Sequence, residues 1–193
     1  MRLEILERGY RPATKALFAV VRLVSRQDMP DAAKLMFYRP DFYGARAKAF
    51  TQEAMRGPSE WSVAERELMA AYVSAVNSSA FCVGAHTATA SRAYGDSGLV
   101  AAALEDVETA PVSDPLRATL RMLGRLTVDG TVSTGQVRGV LAAGATASQV
   151  ADALAVGAAF NLTNRLADAF DFAVPSAQGF ESGAKYLLRR GYR

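Results

Sequence analysis

Two of the chemically most versatile side chains are almost missing from this 193-residue chain, which has one cysteine and one histidine. A single cysteine cannot close an internal disulfide. A secreted disulfide framework is therefore excluded, and a reducing cytoplasm is the expected setting. The same scarcity argues against a metal. One Cys, one His and one carboxylate form a bare three-ligand set with nothing to support it, so no metal and no other cofactor is expected. Charge of one sign is also lacking, because 22 Lys and Arg face 19 Asp and Glu for a net +3. The one basic cluster, Lys185, Arg189, Arg190 and Arg193, is short and has no aromatic stacking platform, so a nucleic-acid partner is not expected. Long apolar runs are absent too. The most apolar stretch, residues 141–160, is broken by Thr146, Ser148, Gln149 and Asp152, which argues against a membrane span. The start, Met1-Arg2-Leu3-Glu4 with Glu7 soon after, lacks the uninterrupted apolar run of a signal peptide. No period-2 alternation bounded by turns marks a strand. No Pro-, Gly- or Ser-rich linker divides the chain, and no fixed-period repeat appears.

What is present favours helices. Half of the residues are hydrophobic and 21% are charged, the balance of a globular chain with a core. Alanine, the best helix former, dominates the apolar set. Leu17, Val20, Val21 and Val24 follow i, i+3, i+4, i+7 and predict an amphipathic helix over 13–25. Met29-Pro30-Asp31 and Arg39-Pro40-Asp41 punctuate the chain on either side of a short helical segment. A third helix over 41–55 should stop at Gly57-Pro58. Ser62 and Glu65 form a capping box for a helix that fades at Asn77-Ser78-Ser79. Ser79 is the expected N-cap of the next helix, which ends near Gly95. A short helix over 99–104 follows. Asp114-Pro115 is read as an N-cap acid with proline at N1, opening a helix that turns at Asp129-Gly130. Ser133 with Gln136 and Thr146 with Gln149 make two further capping boxes. They open helices over 135–142 and 148–171, and a last helix covers 177–190. The expectation is one all-α domain of eight to ten helices without a sheet.

The chemistry concentrates in residues 59–94. Cys82 and His86 stand four apart on one helical face. With Ser79 at the N-cap, Cys82 is N3, near unpaired amides and the positive end of the helix dipole, which favours thiolate. His86, one turn on, is placed to exchange its proton. Glu67, on the preceding helix, reaches the imidazole if the two helices pack antiparallel. That is nucleophile, base and orienter logic. The structural alternative is a buried, inert thiol beside a satisfied core histidine. Asn161, Asn164, Arg165 and Asp168 form a second polar stripe at i, i+3, i+4, i+7. It is either a solvated face or a polar network at a subunit interface, or it contributes Asn164 or Arg165 to a pocket. Glu65 is assigned to the cap, and Trp61 and Tyr72 to the core or an interface.

The stretch resembles the alkylhydroperoxidase AhpD-like family, which shares its fold with carboxymuconolactone decarboxylase. The family pattern is a glutamate, about a dozen residues, then Cys-x-x-Cys-x-x-x-His. Here Glu67 is followed twelve residues later by S-A-F-C-V-G-A-H over 79–86. The later G-V-L-A-A-G-A-T-A-S-Q-V-A-D-A-L and F-N-L-T-N-R-L-A-D-A-F segments are similar to the peroxidase-related branch, and the likeness covers roughly residues 40–175. It implies an AhpD-like core over 59–175, with an N-terminal helical extension (1–58) and a C-terminal helix (176–193). It also implies a homo-oligomer, commonly a trimer or hexamer. By the match Cys82 is the peroxidatic residue of an antioxidant oxidoreductase acting on a small hydroperoxide, with His86 and Glu67 as proton relay. The family's first cysteine is Ser79 here, and Phe81 stands where some members carry a second histidine. A one-cysteine cycle would then need an external thiol. Two other outcomes are a non-redox decarboxylase- or lactone-type enzyme using His86 and Glu67, and a catalytically degenerate binding protein.

Overall fold

The computed structural model describes residues 8–38 and 40–192. Features read at residues 1–7, at Arg39 and at Arg193 lie outside them. The described residues form ten α-helices and one π-helical turn, with no strand among them. In chain order these are α1 (Pro12–Ser25), α2 (Asp31–Tyr38), the π turn (Pro40–Gly44), α3 (Ala45–Arg56), α4 (Val63–Val76), α5 (Ala80–Tyr94), α6 (Ser97–Glu105), α7 (Asp114–Asp129), α8 (Thr134–Ala142), α9 (Ala147–Ala169) and α10 (Ala177–Arg190).

The three capping boxes are all formed, at Ser62/Glu65, Ser133/Gln136 and Thr146/Gln149, each with both reciprocal bonds. Each cap satisfies otherwise orphaned amides and contributes about 1 kcal/mol. The start of α7 differs from the reading of its sequence. Ser113 occupies the N-cap without a side-chain bond, and Asp114 opens the helix with Pro115 next. The acid therefore acts on the helix dipole and does not cap.

The hub is α4. Leu68, Met69, Ala70, Ala71 and Val73 are all fully buried, as expected of a helix that is apolar on every side. It packs against α5, α7 and α9, and α10 covers the outer face of α5. The α4–α5 turn is tight. Ser78 adopts a positive φ of 57° and the Ser79 amide donates to the Ser74 carbonyl at 3.0 Å. As a result α5 runs back along α4, sandwiched between α4 and α10. Trp61 is buried and its indole N–H donates to the Gln149 carbonyl at 2.8 Å, fastening the start of α4 to α9. The stripe of α1 behaves differently, since Leu17, Val20 and Val24 are exposed. Amphipathic spacing identified that helix correctly without identifying anything for it to cover.

Among the described residues no helix is long and apolar enough to cross a membrane.

Candidate active site

The α4–α5 hairpin brings Glu67 and His86 together. Glu67 is fully buried and His86 nearly so, and His86 Nδ1 lies 2.8 Å from Glu67 Oε2. Two residues that sequence reasoning missed complete the cluster. Arg56, the last residue of α3, donates from Nη2 to Glu67 Oε1 at 2.5 Å. The Tyr192 hydroxyl donates into the same carboxylate, 2.9 Å from Oε1 and 3.2 Å from Oε2. The Tyr192 ring lies nearly parallel to the imidazole, 6.3 Å away. Phe160 of α9 meets the imidazole edge-on at 4.3 Å. In the sequence Arg56 looked like an ordinary basic residue at a helix C-terminus, and Tyr192 is 106 residues from His86. No spacing could have revealed either one.

Electrostatics make this cluster a charged one. Burial alone would raise the Glu67 carboxyl, but its hydrogen-bonded partners His86 and Arg56 outweigh it and hold the group below its ordinary value. Tyr192 is pushed well up by burial and by the adjacent Glu67 charge, so its proton stays on the phenol. An ionised carboxylate accepting at Oε2 fixes the imidazole proton on Nδ1.

Cys82 has different surroundings. It is 1% exposed, in a satellite cluster with Leu35, Phe81, Ala167 and Phe172. Phe81 packs edge-on against Phe172 at 5.4 Å. It helps to wall in the thiol. The thiolate expected from the helix terminus is not the resting form, because burial pushes the Cys82 thiol up to about 12. The opposing influence is Ser79 and the reinforcing one is Asp168. The single Ser79 hydroxyl proton is already donated to Asp168 Oδ1 at 2.8 Å, which leaves it no proton to offer a thiolate. Ser79 holds the N-cap position of α5 but makes no side-chain cap. Among the described residues no hydrogen bond joins Cys82 to His86.

The α9 stripe is a polar seam within the chain. Asn161 Oδ1 accepts from Asn77 Nδ2 at 3.0 Å, Asn164 Oδ1 accepts from the Ser74 hydroxyl at 3.0 Å, and Asp168 accepts from Ser79. Together they pin α9 to the α4–α5 corner. Asn164 is fully buried beside that corner. Arg165 is exposed and donates to the Asn161 carbonyl at 2.7 Å, so the structure does not bring it to the site. Two surface clefts lie elsewhere. One of about 310 Å³ is lined by Arg121, Met122, Arg125 and Gln136, and one of about 610 Å³ by Ser91, Arg92, Ser97 and Glu181. Among the described residues no group of three or more His, Cys, Asp or Glu side chains is placed to hold a metal ion.

Similar structures exist. An uncharacterized peroxidase-related protein from Silicibacter sp. TM1040 superposes with a TM-score of 0.78 at 21% identity, over 93% of this chain and 94% of that one. A peroxidase-related protein with an alkylhydroperoxidase AhpD core, from Ralstonia eutropha JMP134, gives 0.75 at 19% identity over 90% and 91%. A cysteine-to-alanine variant of the debrominase Bmp8, in complex with 2,3,4-tribromopyrrole, gives 0.69 at 16% identity over 86% and 88%. At these identities the likeness establishes the fold. Among proteins with curated descriptions none matches the sequence. Residues 40–125, from the π turn through most of α7, match the carboxymuconolactone decarboxylase family, and the fold around that segment is the AhpD-like one.

Proposed function

We propose that this chain is a thiol-dependent oxidoreductase of the peroxidase-related kind, with Cys82 as nucleophile and the Glu67–His86 pair moving its proton. The observation that supports this reading is the buried 2.8 Å contact between Glu67 and His86, one helical turn from the only cysteine. A carboxylate that holds Nδ1–H leaves Nε2 free to act as base, as in other nucleophile–base–orienter sets. The thiol rests neutral and loses its proton as substrate arrives. Sulfur then attacks one oxygen of a small hydroperoxide. The S–O bond forms as the O–O bond breaks, sulfur is oxidised by two electrons, and the leaving alkoxide takes a proton to depart as alcohol or water. No second cysteine exists to resolve the sulfenic acid. An external thiol therefore condenses with it, releasing water and forming a mixed disulfide. A second external thiol displaces Cys82 and restores it. The reading includes a homo-oligomer, a trimer or hexamer, working in a reducing cytoplasm. Peroxidase-related proteins and a debrominase share the fold, so the fold alone does not select the substrate.

A second reading has its own support. Cys82 is 1% exposed, is pushed up to about 12 and makes no hydrogen bond to His86 among the described residues. Those features suit a non-redox acid–base enzyme that uses His86 and Glu67 and keeps the thiol as packing. Hydroperoxide consumption in the presence of a small dithiol decides between them. Loss of activity in both Cys82→Ser and His86→Ala is expected. Peroxide consumption that survives Cys82→Ser, or an absence of sulfenic acid after peroxide treatment of the wild type, overturns the thiol reading.

A further inference from the structure

We infer that Arg56 and Tyr192 are positioning residues of the Glu67–His86 pair: Arg56 balances the charge of Glu67 so that His86 rests as the neutral Nδ1–H tautomer with Nε2 bare, and Tyr192 fixes the plane of the carboxylate. The inference rests on the reading that this pair moves a proton.

The reasoning starts from a fully buried carboxylate. Glu67 is 0% exposed, and a buried charge persists only when it is paired and hydrogen-bonded. With His86 as its only partner, the counter-charge would have to be imidazolium. An imidazolium carries a proton on both nitrogens and has no lone pair with which to accept another. The pair would then be a structural ion pair and could not serve as a base. Arg56 changes this balance. Its guanidinium is always charged and reaches Glu67 Oε1 directly, so the carboxylate is neutralised before His86 is counted. The imidazole then needs only to donate one hydrogen bond to Oε2, which the neutral Nδ1–H tautomer does.

The two residues are themselves held. Arg56 Nη1 donates to the Met55 carbonyl at 2.8 Å and Nη2 to the Leu187 carbonyl of α10 at 3.3 Å. The guanidinium carbon sits 5.1 Å from the centre of the Tyr192 ring. Tyr192 arrives through Gly191, whose φ of +67° favours glycine. A Cβ at Gly191 would meet Gln52 Oε1 at 2.5 Å. That same oxygen accepts the Tyr192 amide at 2.8 Å. The turn thus aims the phenol at Glu67, and the hydroxyl ends 3.5 Å from His86 Nδ1. The groups that meet the imidazole or its carboxylate partner are Glu67 from α4, Arg56 from α3, Tyr192 after α10 and the apolar Phe160 from α9, while Cys82, one turn earlier on α5, lies in the apolar cluster. Arg56 is the cation that bonds Glu67; Arg66, a second buried cation next to Glu67 on α4, turns its Nη1 to the Ala54 and Gly57 carbonyls instead.

The single histidine makes the test direct, because ¹⁵N labelling of the imidazole gives one pair of ring nitrogens to assign. In the wild type near neutral pH, Nδ1 is expected to be protonated and Nε2 bare. In Arg56→Met the midpoint for uptake of the second proton is expected to move to higher pH by about one unit or more, since the Glu67 charge then loses the counter-ion bonded to it and acts more strongly on His86. Arg56→Lys, which keeps the charge, is expected to return most of that shift. Tyr192→Phe is expected to give a smaller shift in the same direction. A folded Arg56→Met with an unmoved midpoint overturns the inference. So does a wild-type imidazole that is doubly protonated near neutral pH or carries its proton on Nε2, a result that needs no variant to fold. The signal requires neither substrate nor thiol and is recorded in Cys82→Ala as well. Failure of peroxide turnover with the expected tautomer sinks the proposed function alone, and the reverse pattern sinks this inference alone.

Discussion

One turn of α5 separates Cys82 from His86, and the two residues sit in opposite kinds of interior. His86 belongs to a charged cluster in which the donors of Arg56, Tyr192 and His86 itself converge on one buried carboxylate. Cys82 belongs to an apolar pocket walled by Leu35, Phe81, Ala167 and Phe172. The difference shows that helical spacing places two side chains on one face without giving them one environment. The helices packed over that face decide the environment. Behind His86 stand α3, α4 and the segment after α10. Around Cys82 stand α2, the α9 end and the residues that follow it. Low dielectric acts in opposite directions in the two places. It strengthens a satisfied charge network and suppresses an unpaired thiolate.

The largest effect should come from breaking the charged side. Glu67→Gln leaves Arg56 buried beside a neutral amide, and loss of one partner of a buried pair costs about 3–5 kcal/mol. Urea denaturation near neutral pH measures this directly. The pH dependence has a definite sign. The folded carboxyl is held below its ordinary value of 4.5, so its contribution is present above that value and is lost as pH falls through the folded one. Wild-type stability should fall on acidification, and the gap between wild type and Glu67→Gln should narrow below about pH 4. A gap that stays constant down to pH 3 would mean the carboxyl is not preferentially ionised in the folded state.

An intermediate effect is expected where α10 closes over both sides. Gly84 lies midway between Cys82 and His86, and a Cβ built on it would come within 2.4 Å of the Phe180 ring. Phe180 in turn packs on Phe81 at 6.4 Å, so the ring has little room to retreat. Gly84→Ala should cost about 1–3 kcal/mol as an overpacking substitution. It should also loosen the docking of α10 that carries Tyr192 toward Glu67. Hydrogen exchange along α10 checks this, and protection equal to the wild type would show that the contact is slack.

The sequence was most informative where local rules govern. Three capping boxes stand where Ser62, Ser133 and Thr146 placed them, and the final helix covers the expected 177–190. Those signals are complete within about four residues. The pairing of Glu67 with His86 was also legible, because a short polar turn between two helices folds one back on the other. Arg56 and Tyr192 were not legible, since each depends on where a distant helix docks. Cys82 misled in a more instructive way. The helix-terminus effect that favours thiolate is local and can be read from the sequence, whereas the burial that overrides it comes from Leu35, Ala167 and Phe172, which are remote in the chain. In the same way α1 shows the amphipathic spacing of a core helix while Leu17, Val20 and Val24 remain exposed.

The smallest effect should come from the thiol, and it has the opposite pH sign to that of Glu67. Cys82 is pushed up to about 12 by burial, against about 8.5 for a free thiol. A group whose folded value is raised contributes stability that is present below its unfolded value and is lost as pH rises toward the folded one. Between about pH 8.5 and 10 the unfolded chain releases this proton while the folded chain retains it, so wild-type stability should fall by about 1 kcal/mol per unit near the top of that window. Cys82→Ala should lack that part of the slope and differ little from the wild type at pH 7, where the thiol is neutral in both states. The window stops at 10 because Tyr192, also raised by burial, adds a slope of its own above it. Equal alkaline slopes in the two proteins would mean that Cys82 is ionised or solvated in the folded state. The contrast with His86 would then collapse, and the two residues would share one site at rest.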